Sequence, residues 1–408
     1  MNTRIKNIPV LLAMGFLAST LTGCGSLNHK KHVDAATGRW KAMRSTLILQ
    51  MAQQQFDAGD LEQAEKTLAE AVQVDSANPR LYALMGRVAM ERGQLERSYN
   101  RFKTAIKMQP RHAPAHYYQG VVMQRWAQFD AALISYQRAY EIEPDNAAYL
   151  LAMSEMMVVL DRTDEAMKLL VEKMAYFDMN AGIRLAIGQM YTMQGVNDKA
   201  ARYIRQAALI RPDDLQIQAE LALALLRAGQ PAEAAIRLEQ LSQEPSLAHR
   251  RDLARALAES YVAVGRIDQA KLLYIKMTRR HPMDADVWLK LGELALSQQD
   301  TAGAMLAAHR FKKLAPRRHE GDVLAGVVYS QQGQVEKALE QFDHAAQLAP
   351  DESTPVVLRG ITLERRGQLN AAAKAYAEAL RREPDDHRAR RLLERVSGEV
   401  EQNTLTSD

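Results

Sequence analysis

An all-α solenoid of stacked helix–turn–helix units is the fold class that this sequence predicts, and three periodic features predict it. Glycine recurs at Gly86, Gly120, Gly188, Gly292, Gly326 and Gly360, spaced by 34 residues or a multiple once a two-residue slip is allowed. Proline keeps the same beat at Pro110, Pro144, Pro212, Pro282, Pro316, Pro350 and Pro384. Runs such as Ala132, Tyr136 and Ala139, or Ala338, Phe342 and Ala345, put a small, a large and a small residue on one helical face. Self-similarity at this period marks an array in which each unit packs on its neighbours. Such an array offers surface to a partner rather than a catalytic pocket.

The totals fit a folded chain. A length of 408 residues would otherwise suggest two or three globular domains, but a quasi-linear array grows without one central core. Charged residues make up 25% and hydrophobic residues 47%, ordinary values for a globular composition. A formal charge of +4 is too balanced to imply a nucleic-acid binder. The single cysteine, Cys24, has no internal disulfide partner and no metal-ligand spacing.

The N-terminus has an order of its own. Met1 to Asn7 is a short basic leader, and Ile8 to Leu21 is an apolar run of 14 residues. That is shorter than the roughly 20 helical residues needed to span a bilayer. Small residues follow, as expected for a secretory signal peptide over 1–23. Leu21-Thr22-Gly23-Cys24 resembles the bacterial lipobox. The resemblance implies cleavage before Cys24 and acylation of its thiol and new amine, enough chains for stable anchoring. An ordinary signal peptide with an incidental cysteine, or an uncleaved anchor, is the plainer alternative. Gly25 stands where Asp would favour inner-membrane retention, so the expected location is the periplasmic face of the outer membrane.

Residues 24–44 carry no strong period and are rich in His29, Lys30, Lys31, His32, Arg39, Lys41 and Arg44. They are expected to form a flexible tether. Cations near an anionic surface gain about 1 kcal/mol each, and the same composition also suits a plain soluble linker.

Ten units follow over 45–386, beginning near Ser45, Pro79, Ala113, Ala147, Ala181, Leu215, Arg251, Ala285, His319 and Ser353. Two extra residues, about His249 and Arg250, separate the sixth from the seventh. In each unit a first helix carries apolar residues at helical spacing, as in Leu81, Leu84, Met85 and Val88. A turn at Gly93, Gly195, Gly229, Gly265, Gly333 or Gly367 follows, where a left-handed conformation suits glycine. Proline then halts the second helix. Acids after it, as in Pro212-Asp213-Asp214, can cap the next one. Proline is replaced in the first, fourth and sixth units by Ser76, Asp178 and Ser246, so looser junctions are expected there.

This pattern resembles the tetratricopeptide repeat (TPR), over more than four-fifths of the chain. The family's small first-helix residue appears as the glycines above, with Ala52, Ser154, Ala222 and Ala258 as departures. Its second-helix alanine appears at Ala64, Ala132, Ala166, Ala200, Ala234, Ala270, Ala304, Ala338 and Ala372, with Ser98 in the second unit. The resemblance implies a right-handed superhelix. A capping helix over 387–398 is expected to close the stack through Leu392, Leu393 and Val396, and 399–408 is expected to be a disordered tail.

Catalytic signatures are absent: the sequence has no GxSxG, HExxH or Walker loop. His112 and His116 are separated by Pro114 and a unit boundary, which argues against a helical metal pair. No cofactor, metal or small-molecule substrate is expected, and an enzyme is not.

TPR arrays bind partners along their first helices. Carrying those positions over gives a basic stretch at Arg80, Arg87, Tyr117 and Arg125. An apolar stretch follows at Leu151, Val158, Leu185, Met193, Leu223 and Leu226, then an acidic one at Asp252, Glu259, Asp286 and Glu293. The expectation is a groove whose apolar centre grips a partner segment and whose charged ends orient it. Packing of the apolar positions inside the array is the competing reading. The expected function is an outer-membrane-anchored scaffold, with envelope proteins in its groove, that resembles assembly lipoproteins of pili and secretion systems. Adaptors of exopolysaccharide export or of peptidoglycan-hydrolase recruitment are the alternative.

Overall fold

The computed structural model describes residues 25–405, with side chains over 31–399. Cys24 and the signal segment 1–23 lie outside the described residues, as do 406–408. The described residues are helical with short turns and no strands. The chain divides into two compact units, Met1–Asp178 and Met179–Asp408.

The first unit holds four helix pairs: α1 (Gly25–Asp57) with α2 (Leu61–Val74), α3 (Pro79–Glu91) with α4 (Leu95–Met108), α5 (Ala113–Arg125) with α6 (Phe129–Ile142), and α7 (Ala147–Val159) with α8 (Thr163–Lys173). The second holds α9 (Ala181–Met193) with α10 (Asn197–Ile210) and α11 (Leu215–Arg227) with α12 (Pro231–Leu241). A 3₁₀ turn (Pro245–Leu247) follows, and then α13 (Arg251–Ala263) with α14 (Ile267–Arg280) and α15 (Ala285–Ser297) with α16 (Thr301–Leu314). Its last pairs are α17 (Glu320–Gln331) with α18 (Val335–Leu348) and α19 (Thr354–Arg365) with α20 (Leu369–Arg382), closed by α21 (His387–Leu405). Within each unit a helix packs on the next, and successive first helices also meet, as α3 meets α5 and α15 meets α17. This is the contact pattern of a solenoid.

Most pairs close because the first helix gives up volume where its second helix brings bulk; at Gly292 the bulk is Leu324 of the next pair instead. A Cβ added at Gly86 would lie 2.5 Å from Cε1 of Phe102, too close for any side chain. Gly120 faces Tyr136 and Gly360 faces Tyr376 in the same way. Where the small residue is larger, as at Ala52, Ser154 and Ala222, the residue sixteen positions on is Leu68, Leu170 or Leu238, each fully buried. Ala258 keeps a ring, Tyr274, so the compensation is a tendency of the array and not a rule.

The turns follow steric reasoning with three exceptions. Gly59 and the six glycines expected there have positive φ, but so do Ala127 (56°), Asp161 (60°) and Gln299 (60°). A non-glycine residue in that region costs about 1–2 kcal/mol, a strain that the packing of the flanking helices must offset. Before the prolines the chain is extended: Gln109 (φ −133°, ψ 92°) precedes Pro110 and Glu383 (φ −127°, ψ 92°) precedes Pro384. Proline disfavours helical geometry in the residue before it.

Three expectations change in the structure. Residues 25–44 do not form a flexible tether but the first part of α1, which runs unbroken into the first repeat. Residues 31–44 bury no face, and with no proline between 25 and 57 the helix of the first repeat can extend back through them without one. The helix α21 likewise continues through 399–405, into the segment expected to be a disordered tail. The junction at Ser76 is regular: α2 has its full 14 residues, ends at an extended Asp75, and Asp75 Oδ1 accepts the Ala77 N–H at 3.1 Å. By contrast α8 and α12 stop after 11 residues.

Candidate functional site

The first helices present the side chains singled out for the groove, and each unit places its own. In the first unit Arg80 is exposed at the start of α3. Arg87, one helical face further on, is not free. Its guanidinium lies 4.4 Å from the Phe56 ring centroid and 5.1 Å from that of Tyr118, and it donates to Gln53 Oε1. Stacked between two rings, it is spent on holding α1, α3 and α5 together. Arg125 is exposed and reaches the Met90 carbonyl at 3.4 Å. The expected basic stretch is thus partly structural.

Tyr117 is core filler more than groove wall. Its ring centroid lies 5.2 Å from Tyr118, 5.4 Å from Tyr136 and 5.0 Å from Tyr149. Burial pushes the phenols of Tyr117, Tyr136 and Tyr149 above their ordinary value. Tyr136 still donates its hydroxyl to Gln124 Oε1 at 2.7 Å. The four rings join the third pair to the fourth. Leu151 and Val158 are half-buried on α7, with Val159 exposed beside them.

In the second unit Leu185, Leu223 and Leu226 are half-buried and rest on the cluster built from Leu221, Leu225, Leu238 and Leu257. They are both the edge of the core and part of the surface. Met193 is more open, at 66% exposure. Leu223 and Leu226 form the apolar wall of an open depression of about 630 Å³, which Asp252 and Glu259 also line. Arg227, Arg251, Arg255 and Asp284 complete its polar rim. Leu185, Met193, Asp286 and Glu293 are not among its lining residues.

The expected acidic end is largely neutralised. The bidentate contact with Arg250, 2.9 Å on the Nε side, holds the Asp252 carboxyl below the usual carboxylate range. Asp286 pairs with Arg318 at 2.7 Å and Glu293 with Lys290 at 2.8 Å. Arg255 lies 3.3 Å from Asp284. The depression therefore presents mixed charge around an apolar wall: Arg250 and Lys290 pair with acids two and three residues on, and Arg255 and Arg318 with acids of a neighbouring segment. Arg227 stands at the end of a first helix, the element along which TPR arrays bind, and so was legible. Arg251 opens its unit at a position that carries no groove signal.

Nothing in the described residues looks catalytic. No group of three or more His, Cys, Asp or Glu is placed to hold a metal among them. His112 Nδ1 accepts the Ala115 N–H at 3.1 Å as the N-cap of α5, and His116 Nε2 lies 3.0 Å from the Pro110 carbonyl. Both histidines serve the helix boundary. No helix among the described residues is long and apolar enough to cross a membrane.

Comparison with known proteins agrees with the repeat geometry. Models of the tetratricopeptide repeat match residues 48–119, 185–246, 255–318, 323–352 and 357–393, well over half of the chain in total. The chain is 26% identical over 158 residues to anaphase-promoting complex subunit 3 of Schizosaccharomyces pombe, covering 38% of this chain and 23% of that protein. It is 24% identical over 294 residues to the CTR9 homolog of Arabidopsis thaliana, covering 68% of this chain and 26% of that one. It thus spans about a quarter of the length of the curated relatives it matches. The solved structure of Pseudomonas aeruginosa PilF aligns at a TM-score of 0.45 and 13% identity, over 50% of this chain and 92% of that one. Matching repeats over most of the array and paired helices with glycine-to-ring closure lead to one conclusion: the chain belongs to the tetratricopeptide repeat family, whose arrays are protein-interaction scaffolds.

Proposed function

We propose that this chain is a non-enzymatic scaffold, held at the outer membrane by an acylated Cys24, that helps assemble an envelope machine such as a pilus or secretion system. The observation that carries the binding part is the depression of about 630 Å³ on the second unit. Half-buried Leu223 and Leu226 stand there beside three arginines and three acids. An apolar wall with charges of both signs suits a polypeptide segment, which can supply side chains to each. The anchoring part rests on the motif at residues 21–24.

Two measurements test the reading. Replacing Leu223 and Leu226 with Asp places charges on the wall of the depression; we expect crosslinked partners to be lost from native envelopes while helicity by circular dichroism is kept. Undiminished capture by the double variant rejects the groove. Labelled palmitate enters the intact chain and is absent from Cys24→Ser; label in that variant rejects the anchor.

A further inference from the structure

Helix α1 has a second apolar face that the fold does not use. Val33, Trp40, Met43, Leu47 and Met51 are 47–67% exposed, and each is a large apolar side chain. Val33, Trp40 and Leu47 are seven residues apart, with Met43 and Met51 three or four from a neighbour, so they share one stripe. The core face of the same helix is elsewhere. Ser45 and Ala52, both fully buried in the first repeat, lie roughly 140° round the axis at about 100° per residue.

Arg39 and Arg44 flank the stripe, one on each side, Lys41 lies further round the helix, and Lys31 lies on the opposite side. Lys31, Arg39, Lys41 and Arg44 are exposed, and Asp34 is the one acid between residues 25 and 56. None of the four has an ion pair among the described residues. The Arg44 guanidinium lies 5.2 Å from the Trp40 ring centroid, its charge at the edge of the apolar band. A second copy of the chain is a poor occupant. In a parallel pairing along this seam Arg39 of one helix would approach Arg44 of the other, a like-charge contact.

We propose that this face of α1 lies in the headgroup region of an anionic lipid bilayer. Tryptophan and aliphatic side chains on one stripe, with arginine beside it, are what an interfacial helix needs. Each cation near such a surface adds about 1 kcal/mol. The face of α1 that packs on α2 is turned away from the stripe, so the first pair can form with the stripe in the headgroups. This deepens the envelope reading: acylation at Cys24 holds the chain near the membrane, and α1 sets how it stands there.

The test uses the full chain on vesicles, with Trp126→Phe and Trp288→Phe leaving Trp40 as the only tryptophan. We expect lipids brominated on the acyl chain to quench Trp40 on phosphatidylglycerol vesicles and far less on phosphatidylcholine. Arg39→Glu with Lys41→Glu should lower the quenched fraction at least about ten-fold, with helicity unchanged. Trp40 left unquenched on protein-bearing vesicles overturns the proposal. So does equal quenching on both lipids, or shielding of Trp40 from aqueous quencher without vesicles in a sample that sediments as a dimer. Palmitate incorporation at Cys24 is scored separately, so failure of the anchor and failure of α1 are told apart.

Discussion

The two ends of the array each carry a helix that runs past the repeat pattern, and they differ in what those helices bury. At the C-terminal end α21 packs on α20 and places Ala389 and Val396, both fully buried, in the cluster that holds Tyr376, Val356 and Val357. Asp386 ties it down: its Oδ1 accepts the Arg388 and Ala389 N–H groups at 2.8 and 2.9 Å, and its Oδ2 accepts from Ser353 Oγ at 2.6 Å. At the N-terminal end the first part of α1 has neither device. Residues 31–44 are exposed throughout, apolar ones included. The lesson is that helix formation and burial are separate outcomes: α21 is a lid on its own stack, whereas the start of α1 presents an apolar stripe to something else.

The contrast can be broken or sharpened by measurement. The largest effect is expected at Val396→Asp, which buries a charge against Tyr376 and Val356; the second unit should lose roughly 3 kcal/mol by urea unfolding. A loss no larger than that of a surface change would mean α21 is not a lid. Asp386→Ala removes the N-cap and the Ser353 anchor, and should cost about 1–2 kcal/mol with faster amide exchange confined to α21.

Acid should act on the same group. Burial pushes the Asp386 carboxyl up, but the hydrogen bonds from Ser353 and from the Ala389 and Arg388 N–H groups outweigh it and leave it below its ordinary 3.8. A depressed carboxyl stabilises the fold above the unfolded value, and that contribution is lost as pH falls through the folded one. Exchange protection of α21 should therefore decline below pH 3.8, and Asp386→Asn should flatten that decline. The smallest effect is expected at Leu47→Ser in α1. It removes no buried contact, so stability should stay within about 0.5 kcal/mol, while Trp40 quenching on anionic vesicles should fall. A large stability loss there would show that the stripe is already covered within the protein.

Much of the array was legible because its signals are local. Gly86 before Phe102 and Pro110 after the second helix act through sterics within one unit. The turn at Gln299 was not legible, because a glutamine in left-handed geometry is held by the helices on either side and not by its own preference. Tyr117 and Arg87 were assigned to a groove by position, yet neighbouring rings absorb both.

The sequence by itself determined the repeat, the pairing of small with large residues and the place where each second helix stops. Backbone sterics and helical spacing decide those within about 34 residues. Only the tertiary structure decided which distant charges remain available, as Asp286 found Arg318 and Arg87 was taken up between Phe56 and Tyr118. Only it showed that α1 continues through the basic segment with an apolar face left open. Both depend on what stands opposite a side chain in space, and a one-dimensional period carries no information about that.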